Sequence, residues 1–499
     1  MTASGAMAEE TGGPAKVRVV VVGGGLAGMA CAAALEGVGC GDHRRDADAT
    51  GAGRYHVTLI EARGGLGGRA GSFDDEESGG QLDNCQHVLL GCCTNLLDLY
   101  RRMGAVDENR GGGGGKIRFE RAVHFLDERG RRFDLWGIKG MPAPLNMAPA
   151  MAGFGLLTLR ERMIVARGMT AMLRVGKAGR QALEAMSFGE WLDRHGQTAS
   201  LVEKFYEPVL ISALNEQCRR ASAKYALQVF QDAMLANERG YVVGLPACAL
   251  GELYASLPVK DLRLNERVEE IVWTSSGGPR RTSAVKLRSG EVLPADVVVL
   301  ATNHHAVQRW VAGAGEQDAR FAALAKLESV PILGVHMWFD RRVMRDSHAA
   351  LIKGPLQWLF RKDAEGRALH GVISAAREWV SVPKDEALRQ FAAQIQGLFP
   401  QSGAKLVRGV IVIEKRATFA PLPGSDAARP SQEPPPGGIE NLFLAGDYTK
   451  TDWPATMEGA VRSGYLAAEA VTRRSGAGEP RSFLVADLPA QWPARLMGL

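Results

Sequence analysis

Valine fills five of the six positions Val17–Val22, and the run stops at Gly23-Gly24-Gly25-Leu26-Ala27-Gly28. A near-continuous apolar run of this length reads as a parallel strand buried on both faces. The Ala-rich stretch after it reads as a helix whose N-terminus faces the glycine turn. Tyr55–Glu61 and Asp296–Ala301 repeat the buried-strand pattern, and Asn441–Asp447 is a shorter version ending in a carboxylate. Helical spacing marks Asn95–Met103, Leu156–Leu173, Phe188–His195, Ala199–Leu214, Lys224–Ala236 and Thr456–Thr472. Alternation predicts two strands of a second sheet within Lys116–Leu135. It also predicts strands in LRLNERVEEIVW from Leu262 and SAVKLRS from Ser283. Val330–Phe339, Leu356–Phe360, Gly371–Ala375 and Gly409–Ile413 complete the second sheet.

This order predicts an α/β chain. A Rossmann-like nucleotide-binding domain (17–110, 240–303 and 439–475) is interleaved with an α+β substrate domain (116–236 and 304–438) carrying a mixed sheet and a helical cap. Residues 1–16 read as a disordered N-terminus and 476–499 as a C-terminal tail. Cys40–Arg54 and the five glycines Gly111–Gly115 read as surface loops. Ala420–Gly438, with six prolines, reads as an irregular connector.

A chain of 499 residues is too long for one hydrophobic core. Its net charge of +5 is small, and the arginines are mixed with acids, so nothing points to nucleic acid. Seven cysteines without a C-x-x-C pair suggest free thiols in a reducing compartment, and no metal-ligand spacing is present. Residues 1–16 lack the apolar core of a signal peptide. Prolines 142, 144 and 149 interrupt the uncharged run Met141–Leu159, which argues against a membrane span. The expected location is cytoplasmic, with at most peripheral contact at the inner membrane face.

The turn carries the first chemistry. Gly23 permits the bend, Gly25 lets a phosphate approach the backbone, and Gly28 lets helix and strand pack closely; the helix end supplies N–H groups for a pyrophosphate. Glu61, at the end of the second strand, suits the ribose hydroxyls. Gly64–Arg69 is a second glycine cluster, closed by a guanidinium that suits phosphate. Two clusters and a strand-end acid favour FAD over NAD. Asp447 and the N-terminus of the helix from Thr456 suit the flavin end of such a cofactor. Asp83, Asn84, Gln86 and His87 crowd beside an apolar run, which suggests a site. The methionines of 147–234 read equally as core or as the lining of an apolar pocket.

VVVVGGGLAG, LIEAR, GGR and LFLAGDYTKTDWPATMEGAVRSG resemble the flavin-dependent amine oxidase and phytoene desaturase superfamily. DNCQHVLLGCCTNLLDLYRRMGA is similar to the squalene-associated FAD-dependent desaturases, or hydroxysqualene dehydroxylases, of hopanoid biosynthesis. So are SFGEWLDRHG, FYEPVLISALNE, VHMWFDRRV and LVADLPAQWPARL. The resemblance runs from Val17 to the C-terminus. Cys85 stands where that family usually has Gly, and Tyr448 where it has Trp.

The resemblance implies FAD contacts at Gly23, Gly25, Leu26, Ala27, Gly28, Glu61, Ala62, Gly68 and Arg69. It adds Val268 near the adenine, then Gly446, Asp447, Met457, Glu458 and Ala460. It implies reduction of hydroxysqualene, a long-chain isoprenoid, to squalene by hydride from reduced FAD. His87, then Asp83, are the candidate acids for the departing hydroxyl, or else braces for the flavin loop. Trp453 and Tyr448 could face the cation or simply pack. Polyene desaturation, amine oxidation and a non-catalytic flavin-binding scaffold are the alternatives. The tail Phe483–Leu499 is a candidate membrane-facing element or a groove cover.

Overall fold

A computed structural model describes residues 16–37, 54–106, 115–274, 280–312, 318–476 and 479–499. The loops expected at Cys40–Arg54 and Gly111–Gly115, and the N-terminal segment, lie almost wholly outside the described residues.

Val17–Val22 is the central strand of a five-stranded parallel sheet. Tyr55–Ile60 and Asp261–Arg263 lie on one side, Val297–Leu300 and Leu442–Leu444 on the other. Both faces of the strand are covered, as its unbroken valines require. Val19 and Val21 face the core that holds the helix Leu26–Leu35. Val20 and Val22 face the opposite core, with Val298, Leu300 and Leu444.

All ten residues of Leu26–Leu35 are buried, which explains its all-apolar sequence. It packs on the last long helix, Met457–Arg474, where Gly464 sits against the Ala27 carbonyl; a Cβ there would stand 2.2 Å from that oxygen. Small residues thus set the spacing of these two helices.

The second sheet has seven strands, in the order Leu406–Phe419, Ser329–Phe339, Ala368–Ile373, Trp358–Arg361, His348–Leu351, Ala122–Leu126 and Arg132–Trp136. It is mixed, because His348–Leu351 pairs in parallel with Ala122–Leu126. The cap helices lie close to their expected spans: Leu159–Gly179, Phe188–Arg194, Ala199–Leu214 and Ala223–Leu235, the last two each containing a π turn. Their core is built on Phe188, Trp191, Phe205, Tyr206 and Phe230.

Four details differ from expectation. Lys116–Leu135 holds three strands, and the first, Ile117–Glu120, joins a small sheet with Val243–Pro246 and Leu89–Leu90. LRLNERVEEIVW is cut in two by Asn265, whose backbone is left-handed (φ 59°) and whose N–H donates to Arg63 O. Its halves then enter different sheets. Residues 304–312 and 318–327 pack under the parallel sheet through Val307, Val311, Phe321 and Leu324, and the mixed sheet resumes at Ser329, whereas the substrate domain was expected from 304. The helix Lys384–Leu398, which covers that sheet through Phe391 and Ile395, has no counterpart in the sequence reading.

Gly464→Ala should test the helix contact. The added methyl meets a carbonyl, so the variant should unfold about 1–3 kcal/mol more easily. Thermal or denaturant unfolding unchanged from the native chain would contradict this packing.

Candidate active site

The first turn meets its expected geometry. Gly23 has φ 115° and lies against Ala301 O, and a Cβ on Gly28 would stand 1.9 Å from Gly23 O. Gly25 differs: a Cβ there has only Gly67 O for a neighbour, at 4.0 Å. The helix that follows has no side-chain cap and no acid in its first turn. Leu26, Ala27 and Gly28 therefore present backbone N–H groups beside open space, a fitting cradle for a pyrophosphate.

The second glycine cluster docks onto the first. Gly67 N–H donates to Gly24 O (2.9 Å), and both Gly67 and Gly68 have positive φ. Glu61 accepts from Gly24 N–H (2.8 Å) and Arg63 N–H (2.9 Å), so it ties its strand to the turn. Ala62 beside it is exposed. Glu266 N–H donates to Glu61 O (3.0 Å), which brings Val268, two residues on, to the same edge. One polar atom here was not legible in the sequence. Thr302 Oγ1 is buried without a hydrogen-bond partner, one residue beyond Ala301 and against Gly23. His304 Nε2 and Tyr448 OH are buried and unpartnered as well. Buried orphans beside a phosphate cradle suit a polar ligand that supplies their partners.

Arg69 and Asp447, both expected to meet the cofactor, meet each other. The guanidinium clasps the carboxylate at 2.7 and 3.0 Å and also donates to Ala417 O. Arg429 donates to the backbone oxygens of Asp447 and Thr449 from a buried position in the proline-rich connector. Gly446 N–H donates to Ser463 Oγ (2.7 Å). The Glu458 side chain is turned elsewhere than its expected role implies. It is fully buried and accepts from Asn95 N–H, Asn95 Nδ2 and Leu96 N–H, capping the helix Thr94–Arg102 and pairing with Arg462. What Met457 and Glu458 leave for a ligand is their first-turn backbone, because the Thr456 hydroxyl already caps Gly459. Ala460 packs in the core behind them.

Asp83 and His87 separate in role. Asp83 is buried and accepts from Ser72 Oγ (2.8 Å), Leu250 N–H (2.8 Å) and Lys362 Nζ (3.2 Å). These bonds tie the segment to three other parts of the chain. His87 is half-buried. Its Nδ1 lies 2.9 Å from Cys85 O, an acceptor, so Nδ1 carries the proton and Nε2 is left as a free acceptor. Burial holds its pKa below the usual imidazole value. Asn84 rides on the second glycine turn, donating to Gly71 O and Gly68 O. His336 Nε2 reaches Asp83 O at 2.9 Å, and the fully buried His370, with neither nitrogen hydrogen-bonded, packs against it. The Asp83–His87 segment therefore lies between the glycine turns and the mixed sheet. Around it, Val88, Leu90, Ile332 and Trp358 are partly exposed apolar side chains packed on a small cluster with Cys85 and Phe360. Trp453 lies under the Arg462 guanidinium at 4.8 Å.

The two glycines give contrasting variants. Gly25→Ala should fold and lose bound flavin, because its methyl enters the cradle. Gly28→Ala should lose fold and flavin together. Circular dichroism and flavin content measured on the same preparations check this, and full flavin in folded Gly25→Ala would contradict the cradle.

Comparison with known proteins agrees with this geometry. The 15-cis-phytoene desaturase of Synechococcus elongatus is 26% identical over 506 residues, covering 93% of this chain and 98% of the relative. That of Arabidopsis thaliana is 26% identical, covering 92% and 81%. These relatives support the polyene-desaturase alternative better than hydroxysqualene reduction. An oxidoreductase structure from Methanosarcina mazei shares the fold, with TM-score 0.65 and 15% identity over 92% of this chain and all of that one. Residues 26–472 match the flavin containing amine oxidoreductases. Its FAD-type glycine turns and parallel sheet accord with that match, and the chain belongs to this family of FAD-dependent oxidoreductases.

Proposed function

We propose that this protein moves a hydride at an allylic position of a long-chain acyclic isoprenoid. The observation that carries the reading is the pairing of a flavin-type site with relatives named as phytoene desaturases across almost the whole chain. When bound, FAD supplies a two-electron centre that accepts or returns a hydride. The chain's own part is positioning. A polyene offers no polar handle, so apolar side chains such as Val88, Leu90, Ile332 and Trp358 must hold it and exclude water. The turns of Gly23–Gly28 and Gly64–Arg69 fix the dinucleotide.

His87 offers a free acceptor beside this apolar lining. In desaturation one carbon gives up hydride and its neighbour gives up a proton; neutral His87 Nε2 takes that proton. Reductive dehydroxylation is the second reading, favoured by the resemblance of Asp83–Ala105 and the tail to the squalene-associated enzymes. There a protonated His87 would give its proton to the leaving hydroxyl, water would depart, and hydride would quench the allylic cation. The two directions carry opposite pH signatures. Below its lowered pKa His87 charges, so desaturation should fall with acidity and dehydroxylation should rise.

Anaerobic incubation decides between them. Oxidised enzyme with phytoene or squalene should yield a product with one more double bond; reduced enzyme with hydroxysqualene yielding squalene would establish the second reading. Turnover of amines alone would overturn both. His87→Gln should lower turnover about 100-fold or more, and full activity would remove His87 from the mechanism.

Such substrates reside in bilayers, and we place the membrane-facing side at the cap. Leu145, Leu159, Met163, Trp492 and Leu496 are large exposed apolar side chains, and exposed Arg160 and Arg167 lie among them. No described helix is long and apolar enough to span a membrane. The tail is built into the fold by Asn95, Glu469 and Gln491, so point changes are the sound test. Replacing Leu159, Met163 and Leu496 by serine should reduce flotation with anionic liposomes while flavin content stays constant; unchanged flotation would contradict this face.

A further inference from the structure

We propose that Glu120, His124 and His348 form a divalent-metal site of zinc type, outside the flavin site. One ligand atom from each residue lies within 4.8 Å of the others, and no ion is needed to bring them together. Strand pairing does so. Ala122–Leu126 runs parallel to His348–Leu351, and Ile117–Glu120 delivers Glu120 from the small sheet. Two imidazoles and a carboxylate are a common zinc donor set, with a fourth position left to water.

Neighbouring groups orient the three side chains. His124 Nδ1 lies 2.8 Å from Asp134 Oδ1, so Nδ1 carries the proton and Nε2 offers a lone pair. Asp134 is itself clasped by Arg132 at 2.7 and 2.9 Å. A carboxylate orienting the far nitrogen is the arrangement found behind metal-bound histidines. His348 Nδ1 stands 3.4 Å from Glu120 Oε2, the separation of about 3.4 Å expected for two donors on one tetrahedral ion. The His348 ring is fully buried; Nδ1 is the nitrogen that faces Glu120, and Nε2, across the ring from it, has no partner. Ser347 Oγ bridges Glu120 (2.5 Å) and His348 Nδ1 (3.0 Å), and Arg118 bonds the outer carboxylate oxygen at 2.9 Å. An ion here would pin the small sheet to two inner strands of the mixed sheet.

The test uses the full-length flavoprotein, stripped with chelator and reloaded with zinc alone. Native protein should retain one zinc per chain after desalting and gain thermal stability from it. Glu120→Gln and His124→Asn should each bind zinc at least 10-fold more weakly, with flavin content unchanged. Because a variant could fail to fold, cobalt(II) loading of the native protein is the second measurement. A visible d–d band of a low-coordinate nitrogen and oxygen site supports the proposal. Absence of that band, zinc lost on desalting, or zinc retained equally by His124→Asn would overturn it, the last pointing to the cysteines instead.

Discussion

The Arg69–Asp447 pair joins residues 378 positions apart. It couples the second glycine turn, near the chain start, to the strand end that precedes the last helix. Asp447 is nearly buried and Arg69 about one-third exposed, so the pair is partly shielded from water and its geometry is bidentate. Removing one partner would leave a desolvated charge beside the phosphate cradle, and the arrangement depends on both being present. The dinucleotide site is therefore made by closure of the chain on itself. Gly67 on Gly24, Glu61 on Gly24, and Arg69 on Asp447 are successive links of one backbone assembly.

The mixed sheet and cap serve a different demand. A dinucleotide is recognised by backbone N–H groups and charge, whereas an isoprenoid offers only shape and apolar surface. The Asp83–His87 segment stands where these two environments meet. Asp83 ties it to Ser72, Leu250 and Lys362, and His87 Nδ1 is taken by Cys85 O. Separate carboxylates thus do separate work: Asp83 braces, Glu458 caps a helix, Asp447 clasps Arg69, and Glu61 fastens a strand.

Much of this was legible in the sequence because its causes are local. Unbroken valines require a strand covered on both faces, and glycine spacing requires particular contacts; Gly23 has the positive φ of a bend, Gly28 packs against Gly23 O, and Gly25 has open space beside it. The cap helices and the last helix, Met457–Arg474, were legible for the same reason, whereas Lys384–Leu398 was not. What escaped depends on pairing between distant segments. Asp447 and Arg69 were each assigned to the ligand, because no local pattern says that one will face the other. Thr302 and Arg429 lie in stretches without a motif and become informative only through what packs against them. The strand break at Asn265 rests on one left-handed residue anchored by Arg63, too small a signal for periodicity. Glu120, His124 and His348 form no recognisable motif, since parallel pairing brings the strand of His348 beside that of His124 and Glu120 arrives from the small sheet.

The central claim is that Arg69 and Asp447 act as one unit that closes the FAD site. A double-mutant cycle of Arg69→Met and Asp447→Asn, read as the FAD dissociation constant, tests it most directly. The account predicts that each single change weakens FAD binding about 10-fold or more, and that the double variant is little worse than either. Additive losses, or singles that bind FAD as tightly as the native chain, would contradict it.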